Sequence, residues 1–376
     1  MEIAHSQDIE SSSTWLEISL TAIRNNIRLL SRITQTGVMP VVKANAYGHG
    51  LIEVSQAAEQ EGVSWLGVSR IEEAVALREA GISCSILILG YTPPKRIPEA
   101  VQRELAVTVY DEIVANEYNL ATGSGKGKLK VHVKTDSGMG RLGIPTQRAE
   151  GLLRNLQKLE NFSVEGLFTH FARADEPGAS TTNEQLERFL DLLEKLTSLG
   201  LCPGLIHAAN SAGALNFPEA RFDLVRCGIS IYGLDPSPET LLPEGFQRAL
   251  TWKTRLTSIK TLPPGHGVSY GFHYYTSREE RIGVIAIGYA DGFRRITGNQ
   301  VLVNGKKADV VGAVCMDQCM IGLNDIPTAS IGDEVILIGE QKGDLITAED
   351  LAKTWDTINY EVICGLADRV PRFYKE

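Results

Sequence analysis

From residue 14 to about residue 235 the chain alternates short β-branched runs with amphipathic stretches, the pattern of parallel β/α units. Eight apolar runs carry it: GVMPVVK (37 to 43), SWLGVS (64 to 69), CSILILG (84 to 90), LAVTVY (105 to 110), LKVHVK (129 to 134), SVEGLF (163 to 168), GLIHAA (204 to 209) and DLVRCG (223 to 228). The segments between them read as helices. In NEQLERFLDLLEKLTSLG, residues Leu186, Phe189, Leu190, Leu193 and Leu196 are expected on one face, with Thr182 as N-cap and Gly200 just past the end. The segment opening at Thr21 puts Ile23, Ile27 and Leu30 in helical register. Eight strands with eight connections predict an α/β fold, a TIM-like (β/α)8 barrel.

After about residue 240 the rhythm changes. TWKTRLTSIKTL, RIGVIAIGYA, QVLVNGKKADVVGAV and DEVILIGE are strand-like runs separated by Gly, Pro and Asn turns, and NGKK at 304 to 307 is expected to be a tight hairpin. The expected organisation is a barrel domain over 1–240, opening with a polar disordered tail at residues 1 to 14, then a mostly β C-terminal domain over 241–376.

Composition narrows the function. A chain of 376 residues with 43% hydrophobic content can fill two cores. Its net charge of -9 is spread along the sequence, which argues against nucleic acid or an anionic membrane as the main partner. The first 14 residues lack the basic start, apolar core and cleavage site of a signal peptide, and no stretch is long enough to span a bilayer, so a cytoplasmic location is expected. The six cysteines show no Cys-x-x-Cys spacing and no nearby histidine pair, predicting free thiols and no metal.

In a barrel, chemistry gathers where the strands end. Lys43 closes the first run, Lys134 the fifth, His170 follows the sixth, Asn210 and Ser211 follow the seventh, and Arg226 lies near the end of the eighth. A lysine closing an apolar run is paired, snorkels to water or is used chemically; joint placement at one rim favours use. The rim is rich in cations (Lys43, Lys134, Arg141, Arg226) and poor in carboxylates, which suits an anionic ligand and not hydrolysis by a carboxylate pair. Ser-x-x-Lys and Gly-Lys-Ser motifs are absent. Ser211 at the start of a helix, with the backbone near Gly228 and Ile229, offers N–H donors to a phosphate. A phosphate-bearing cofactor beside a lysine points to pyridoxal 5'-phosphate, whose aldehyde takes an amine as a Schiff base.

VVKANAYGHG, KTDSGMGRLGI, THFARAD, VRCGISIYG, SYG, IGYADGF, VCMDQCM and RVPRFY, spanning residues 41 to 374, together resemble the bacterial alanine racemases. The resemblance implies a fold-type III pyridoxal-phosphate enzyme that interconverts L- and D-alanine for peptidoglycan, as a homodimer with shared active sites. Lys43 is similar to the lysine that carries the cofactor and acts as one base, and Tyr270 to the second base, supplied by the other subunit. His170 resembles the residue bonded to that tyrosine, and Arg226 the arginine facing the pyridine nitrogen, where a permanent cation leaves that nitrogen unprotonated. Tyr47, Ser211, Gly228, Ile229 and Tyr360 look like the phosphate cradle, beside Asn210. Arg141 resembles the arginine near the cofactor phenolate and substrate carboxylate, and Lys134 the lysine that is carbamylated to orient it. Met316 and Asp317 look like partner-chain residues that help hold the carboxylate. Ala313 stands where the family often has arginine at the substrate corridor, while Asp175, Tyr289 and Arg295 fit its other walls.

Three rival readings follow. A basic amino acid decarboxylase of the same fold type needs a carboxylate where Arg226 stands, and a non-catalytic pyridoxal-phosphate barrel needs neither Tyr270 nor the β domain. A serine or broad-specificity racemase stays open. Tyr360 in the pocket would favour a small side chain, and a methyl-sized difference discriminates by only about 1–3 kcal/mol.

Overall fold

The computed structural model of the chain describes residues 9–123 and 127–376. They form two compact units, one over Thr21–Arg248 and one combining Ala249–Glu376 with the described residues up to Leu20.

In the first unit all eight apolar runs are strands: Gly37–Pro40, Trp65–Val68, Ser85–Ile88, Ala106–Val109, Leu129–Asp136, Phe162–Phe168, Leu205–His207 and Leu224–Cys227. The second to seventh pair in parallel in chain order, and the eighth pairs in parallel with the first. Backbone bonds join the remaining seams. Val42 N–H reaches Gly67 O at 2.8 Å, and Arg226 N–H reaches Ala209 O at 2.9 Å. The ring is therefore a closed α/β barrel. Its strands read as unbroken apolar runs because a parallel strand is covered on both faces.

The helix Thr181–Ser198 corrects two details of the sequence reading. Its buried face is Thr182, Gln185, Leu186, Phe189, Leu192 and Leu196, so Thr182 points inward and Ser180 precedes the helix as its cap residue. Leu190 is exposed, because one residue beyond Phe189 turns it 100° off that face. The buried Gln185 has a specific use. Its Oε1 accepts the Ala172 N–H at 2.9 Å and its Nε2 donates to His170 O at 3.2 Å, which fixes the loop carrying His170.

In the second unit six antiparallel strands close on themselves in the order Leu250–Leu262, Glu280–Ile285, Cys319–Gly322, Lys306–Val311, Gln300–Val303, Glu334–Gln341 and back to Leu250–Leu262. The expected hairpin is present, with Asn304 (φ 53) and Gly305 (φ 80) supplying the two left-handed residues that a two-residue turn requires. Thr14–Ser19 belongs to this sheet, antiparallel to Leu250–Leu262 and parallel to Arg372–Lys375. The expected tail thus runs at Thr14 directly into a strand that buries Trp15, Leu16 and Ile18, and within the tail Ile9–Ser11 forms a 3-10 turn. Residues 1–8 of that tail lie outside the described residues. The boundary expected at 240 falls after Arg248, because the chain up to there is bonded to the first helix of the barrel unit. Asn26 Nδ2 donates to Gln247 O at 2.7 Å, Gln247 N–H returns to Asn26 Oδ1 at 2.9 Å, and Asn25 Nδ2 reaches Gly245 O at 2.9 Å.

Candidate active site

Lys43 lies just past the first barrel strand, not on it, and opens a turn of unusual hand. Ala44, Asn45, Ala46 and Tyr47 all have φ between 52 and 54°, a left-handed helical turn closed by Ala46 N–H to Val42 O at 2.8 Å and Gly48 N–H to Ala44 O at 3.0 Å. Outside glycine such a conformation costs about 1–2 kcal/mol per residue. The local sequence softens that cost with two alanines and an asparagine, and Gly48 (φ 84) and Gly50 (φ 107) take the positions that follow. Side chains hold the turn from several sides. Nδ1 of the buried His49 lies 3.1 Å from Ala46 O and 3.0 Å from Tyr47 O, its ring stacks on Tyr232, and the Tyr232 hydroxyl donates to Val41 O at 3.1 Å.

The cations gather as expected. Lys134 is buried two residues before the end of the fifth strand, with Nζ 5.5 Å from the centre of the Phe168 ring. Burial, and then the charges of Arg226, Arg141 and Lys43, bring it down to about 8. Arg226 is buried among acceptors. Its Nη1 donates to His207 Nδ1 at 2.9 Å, and the two hydrogens of its Nη2 are shared among Thr169 O (2.8 Å), Ala208 O (2.8 Å) and His170 Nδ1 (3.0 Å). Burial lowers this guanidinium to about 9, which leaves it charged at neutral pH. Removal from water, followed by the charges of Arg226, Arg141, Lys134 and Lys43, holds His170 well below the usual histidine range. Arg141 follows in an exposed loop after Asp136, whose carboxylate caps the N–H groups of Gly138, Met139 and Gly140.

Beside them lies a corner built for close approach. A Cβ on Gly228 would stand 2.4 Å from the Tyr47 hydroxyl, so only glycine lets the two meet. Ser211 Oγ accepts the Gly228 N–H at 3.0 Å and the Ser230 hydroxyl at 2.9 Å, which leaves its own hydrogen to be donated. Asn210 caps the short helix Ser211–Asn216 through Gly213 N–H at 2.9 Å, so its side chain sets the start of that helix. Ile229 is buried at the head of the turn Ile229–Tyr232.

The other expected residues lie in the β unit. Tyr270 is 70% exposed on a turn that follows Ser269 (φ 66). Ser269 Oγ donates to Ala313 O at 2.7 Å and lies 3.4 Å from Cys315 Sγ, which ties the Tyr270 turn to the loop leading into Met316 and Asp317. Met316 is exposed. The Asp317 carboxylate accepts from Arg369 Nη2 at 2.7 Å, and Arg369 Nε reaches the buried Asp291 at 2.7 Å. An anion so placed repels a substrate carboxylate, so this stretch can help hold one only through backbone N–H groups or through Arg369. Tyr289 N–H bonds Cys315 O at 3.0 Å, and Arg295 Nη1 donates to Val314 O at 2.6 Å. Ala313 and Arg295 line a groove of about 550 Å³ together with Arg278 and Lys307. Tyr360 is half-buried in the helix Asn359–Cys364, also in this unit, and Asp175 lies in the barrel unit, its carbonyl accepting from Ser237 and Thr240.

Residues 18–236 match the family described as alanine racemase, N-terminal domain, and residues 249–374 match alanine racemase, C-terminal domain. The chain belongs to the alanine racemase family. It is 47% identical to the alanine racemase of Symbiobacterium thermophilum over 96% of this chain and 97% of that protein, and 44% identical to that of Geobacillus stearothermophilus over 96% and 93%. Among solved structures, alanine racemase from Bacillus anthracis with bound L-Ala-P superposes with a TM-score of 0.92 at 40% identity, covering 97% of this chain and 95% of that one. Membership makes the chain an isomerase and fixes its fold as the barrel with a β-rich second domain.

Within this racemase fold three contributors escaped the sequence reading. His207 and His132 form a buried chain with Arg226, His207 Nε2 lying 2.9 Å from His132 Nδ1. Alternation along LKVHVK carried a signal for one of them, since His132 and Lys134 must share a strand face. Glu73, which bonds Ala44 N–H at 2.7 Å, left no mark, because a glutamate in the first turn of a helix is ordinary.

Proposed function

We propose that the chain binds pyridoxal 5'-phosphate at the barrel rim and interconverts L- and D-alanine, as a homodimer in which Tyr270 of the partner subunit completes each site. The observation that carries this reading is the cationic set around His170, where the buried Lys134 and Arg226 and the more exposed Arg141 and Lys43 all act on one imidazole. The residues present fit the cofactor. Gly228 lets the Tyr47 hydroxyl close against its backbone, Ser211 keeps a hydroxyl hydrogen to donate, and Arg226 Nε has no partner among the described residues. Ser211, Tyr47 and the Gly228–Ile229 backbone would hold the phosphate, Arg226 the ring nitrogen and Lys43 the aldehyde carbon.

When bound, the cofactor supplies a sink for the electron pair left on the alanine Cα as its proton departs. Arg226 limits that sink, because a guanidinium donates to the ring nitrogen without handing over a proton. Lys43 Nζ takes or gives the proton on one face of Cα, and the hydroxyl of Tyr270 of the partner subunit does so on the other. A neutral His170 with Nδ1 occupied by Arg226 carries its hydrogen on Nε2, from which it donates onward and orients that tyrosine. Arg141 pairs with the substrate carboxylate, and Lys134, once carbamylated, pairs with Arg141.

Dimer formation has its own support, since Tyr270, Phe272, Tyr275, Tyr289 and Met316 are large side chains left exposed in one unit. No helix among the described residues is long and apolar enough to cross a membrane, and we place the enzyme in the cytoplasm, supplying D-alanine for peptidoglycan. The test is D-amino acid formation from alanine and from serine, with borohydride reduction and peptide mapping of the same sample. Conversion of alanine with the label on Lys43 is expected. No conversion, or a label on Lys134, defeats the reading.

A further inference from the structure

Glu73 holds the head of the turn that aims Lys43. Its Oε2 accepts the N–H groups of Ser69 at 2.8 Å and Arg70 at 3.0 Å. That pair is local, since Glu73 is the third residue of the helix Ile71–Glu79, where a glutamate commonly reaches back to the cap residue. Its Oε1 does something else. It accepts the N–H of Ala44 at 2.7 Å, 29 residues earlier in the chain, and so bonds the loop after the second barrel strand to the first residue of the left-handed turn.

A run of four left-handed non-glycine residues persists only where its surroundings over-determine it. The far end is held by His49 on the carbonyls of Ala46 and Tyr47, and by Asn45 Oδ1 accepting Leu51 N–H at 2.8 Å. The near end, adjoining Lys43, is held by the Glu73 carboxylate. We propose that Glu73 is a positioning residue for the reaction: by fixing Ala44 it sets the direction of Lys43 and Tyr47, so cofactor attachment depends on a carboxylate carried by the neighbouring helix. The proposal rests on Lys43 being the lysine that carries the cofactor.

Two variants separate the roles of the two oxygens. Glu73→Asp keeps the charge and can cap its own helix, but is one methylene too short for Ala44. Glu73→Gln keeps the length but presents an NH2 donor in place of one acceptor, so it cannot serve both sides. Hydrogen exchange by peptide on the holoenzyme and on cofactor-free protein, with the cofactor dissociation constant, reads the outcome. In both variants exchange across residues 41–50 should quicken by at least about tenfold, and the cofactor should bind at least about tenfold more weakly. The strands Ala106–Val109 and Leu129–Asp136 should keep their protection. Unchanged exchange over 41–50 overturns the proposal, and so does a uniform acceleration across the barrel, which would make Glu73 a general support of the fold. Borohydride mapping of the unsubstituted enzyme is independent of both variants. A label away from Lys43 removes the reading beneath the proposal, whereas a label on Lys43 with unperturbed exchange removes the role of Glu73 alone.

Discussion

Arg226 Nη1 donates to His207 Nδ1 at 2.9 Å, and that one bond assigns the protons of two histidines. A guanidinium has no acceptor, so Nδ1 of His207 is bare and its hydrogen sits on Nε2, which faces His132 Nδ1 at 2.9 Å. His132 must then carry its own hydrogen on Nε2. His170, accepting from Arg226 Nη2 at 3.0 Å, has the same tautomer. Three neutral imidazoles are thus tied to one cation, His207 and His170 directly and His132 through His207, and each would lose its bond by taking a second proton.

The pH dependence of stability follows. Burial first, and then Arg226, depresses His132 to about 3 and holds His170 and His207 well below the usual range. In the unfolded chain the same groups titrate near 6.5. Below that value the unfolded state binds protons that the folded state refuses, so this stability is complete above about pH 6.5 and is lost as pH falls toward the folded values. His132 alone contributes a slope of about 1.4 kcal/mol per pH unit, so it should remove about 1 kcal/mol between pH 6 and pH 5, with His170 and His207 acting in the same direction. Denaturant unfolding of the cofactor-free protein at those two pH values checks this. Imidazole 15N shifts should show all three histidines still neutral at pH 5.5, and a protonated His207 would contradict the assignment.

Lys134 is poised for a different change of charge. At about 8, a tenth or more of its amine is neutral near pH 7 to 8, and a neutral amine adds carbon dioxide, forming an N–C bond and releasing one proton. The product is an anion among Arg226, Arg141 and Lys43, where the ammonium was repelled. Labelled 13C bicarbonate should give a carbamate signal that grows from pH 7 to pH 9 and is missing from Lys134→Ala. The same substitution should lower kcat/KM by about 10- to 100-fold, the worth of a charge-assisted hydrogen bond. Incorporation that persists in Lys134→Ala would assign the carbamate elsewhere.

The Tyr47 and Gly228 contact makes a prediction about volume alone. Gly228 has a negative φ of -103, so Gly228→Ala is not opposed by left-handed backbone and brings in a Cβ that meets Tyr47. Overpacking of this kind costs about 1–3 kcal/mol, so the cofactor should bind about 10- to 100-fold more weakly. Because the clash is with the Tyr47 ring, Gly228→Ala should add little in a Tyr47→Ala background, and a double-mutant cycle on cofactor affinity reads that coupling. Simple additivity would separate the two residues.

Sequence pattern was most informative where burial is two-sided. The eight barrel strands are continuous apolar runs and all are present, and the cations ending them share a rim because topology puts strand ends together. Thr14–Ser19 was hidden because TWLEIS is short, half polar and far along the chain from its partner Leu250–Leu262, so nothing local says which sheet it joins. The left-handed turn was hidden for a related reason. VVKANAYGHG shows its glycines, but the hand of Ala44 to Tyr47 is imposed by Glu73, His49 and Tyr232, which no spacing rule connects to it. Asp317 shows the opposite limit: its motif VCMDQCM singled it out, while its bond to Arg369 depends on a residue 52 positions further on.

Shared sites give the most decisive prediction. Lys43 lies in the barrel unit and Tyr270 in the β unit, where it is 70% exposed on its own chain. If each site joins Lys43 of one subunit to Tyr270 of the other, neither Lys43→Ala nor Tyr270→Ala should racemise appreciably as a homodimer. In a mixed dimer one site collects both substitutions, while the other pairs the intact Lys43 of one chain with the intact Tyr270 of its neighbour. Random re-pairing of equal amounts makes about half the dimers mixed, each with one competent site of two, so activity should recover to about a quarter of the unsubstituted enzyme. Co-expression with two affinity tags isolates the mixed species, whose activity should be about half that of the unsubstituted enzyme per dimer. A tag-purified mixed dimer as inactive as its parents would mean that each site is completed within one chain, and the two-subunit mechanism would fall.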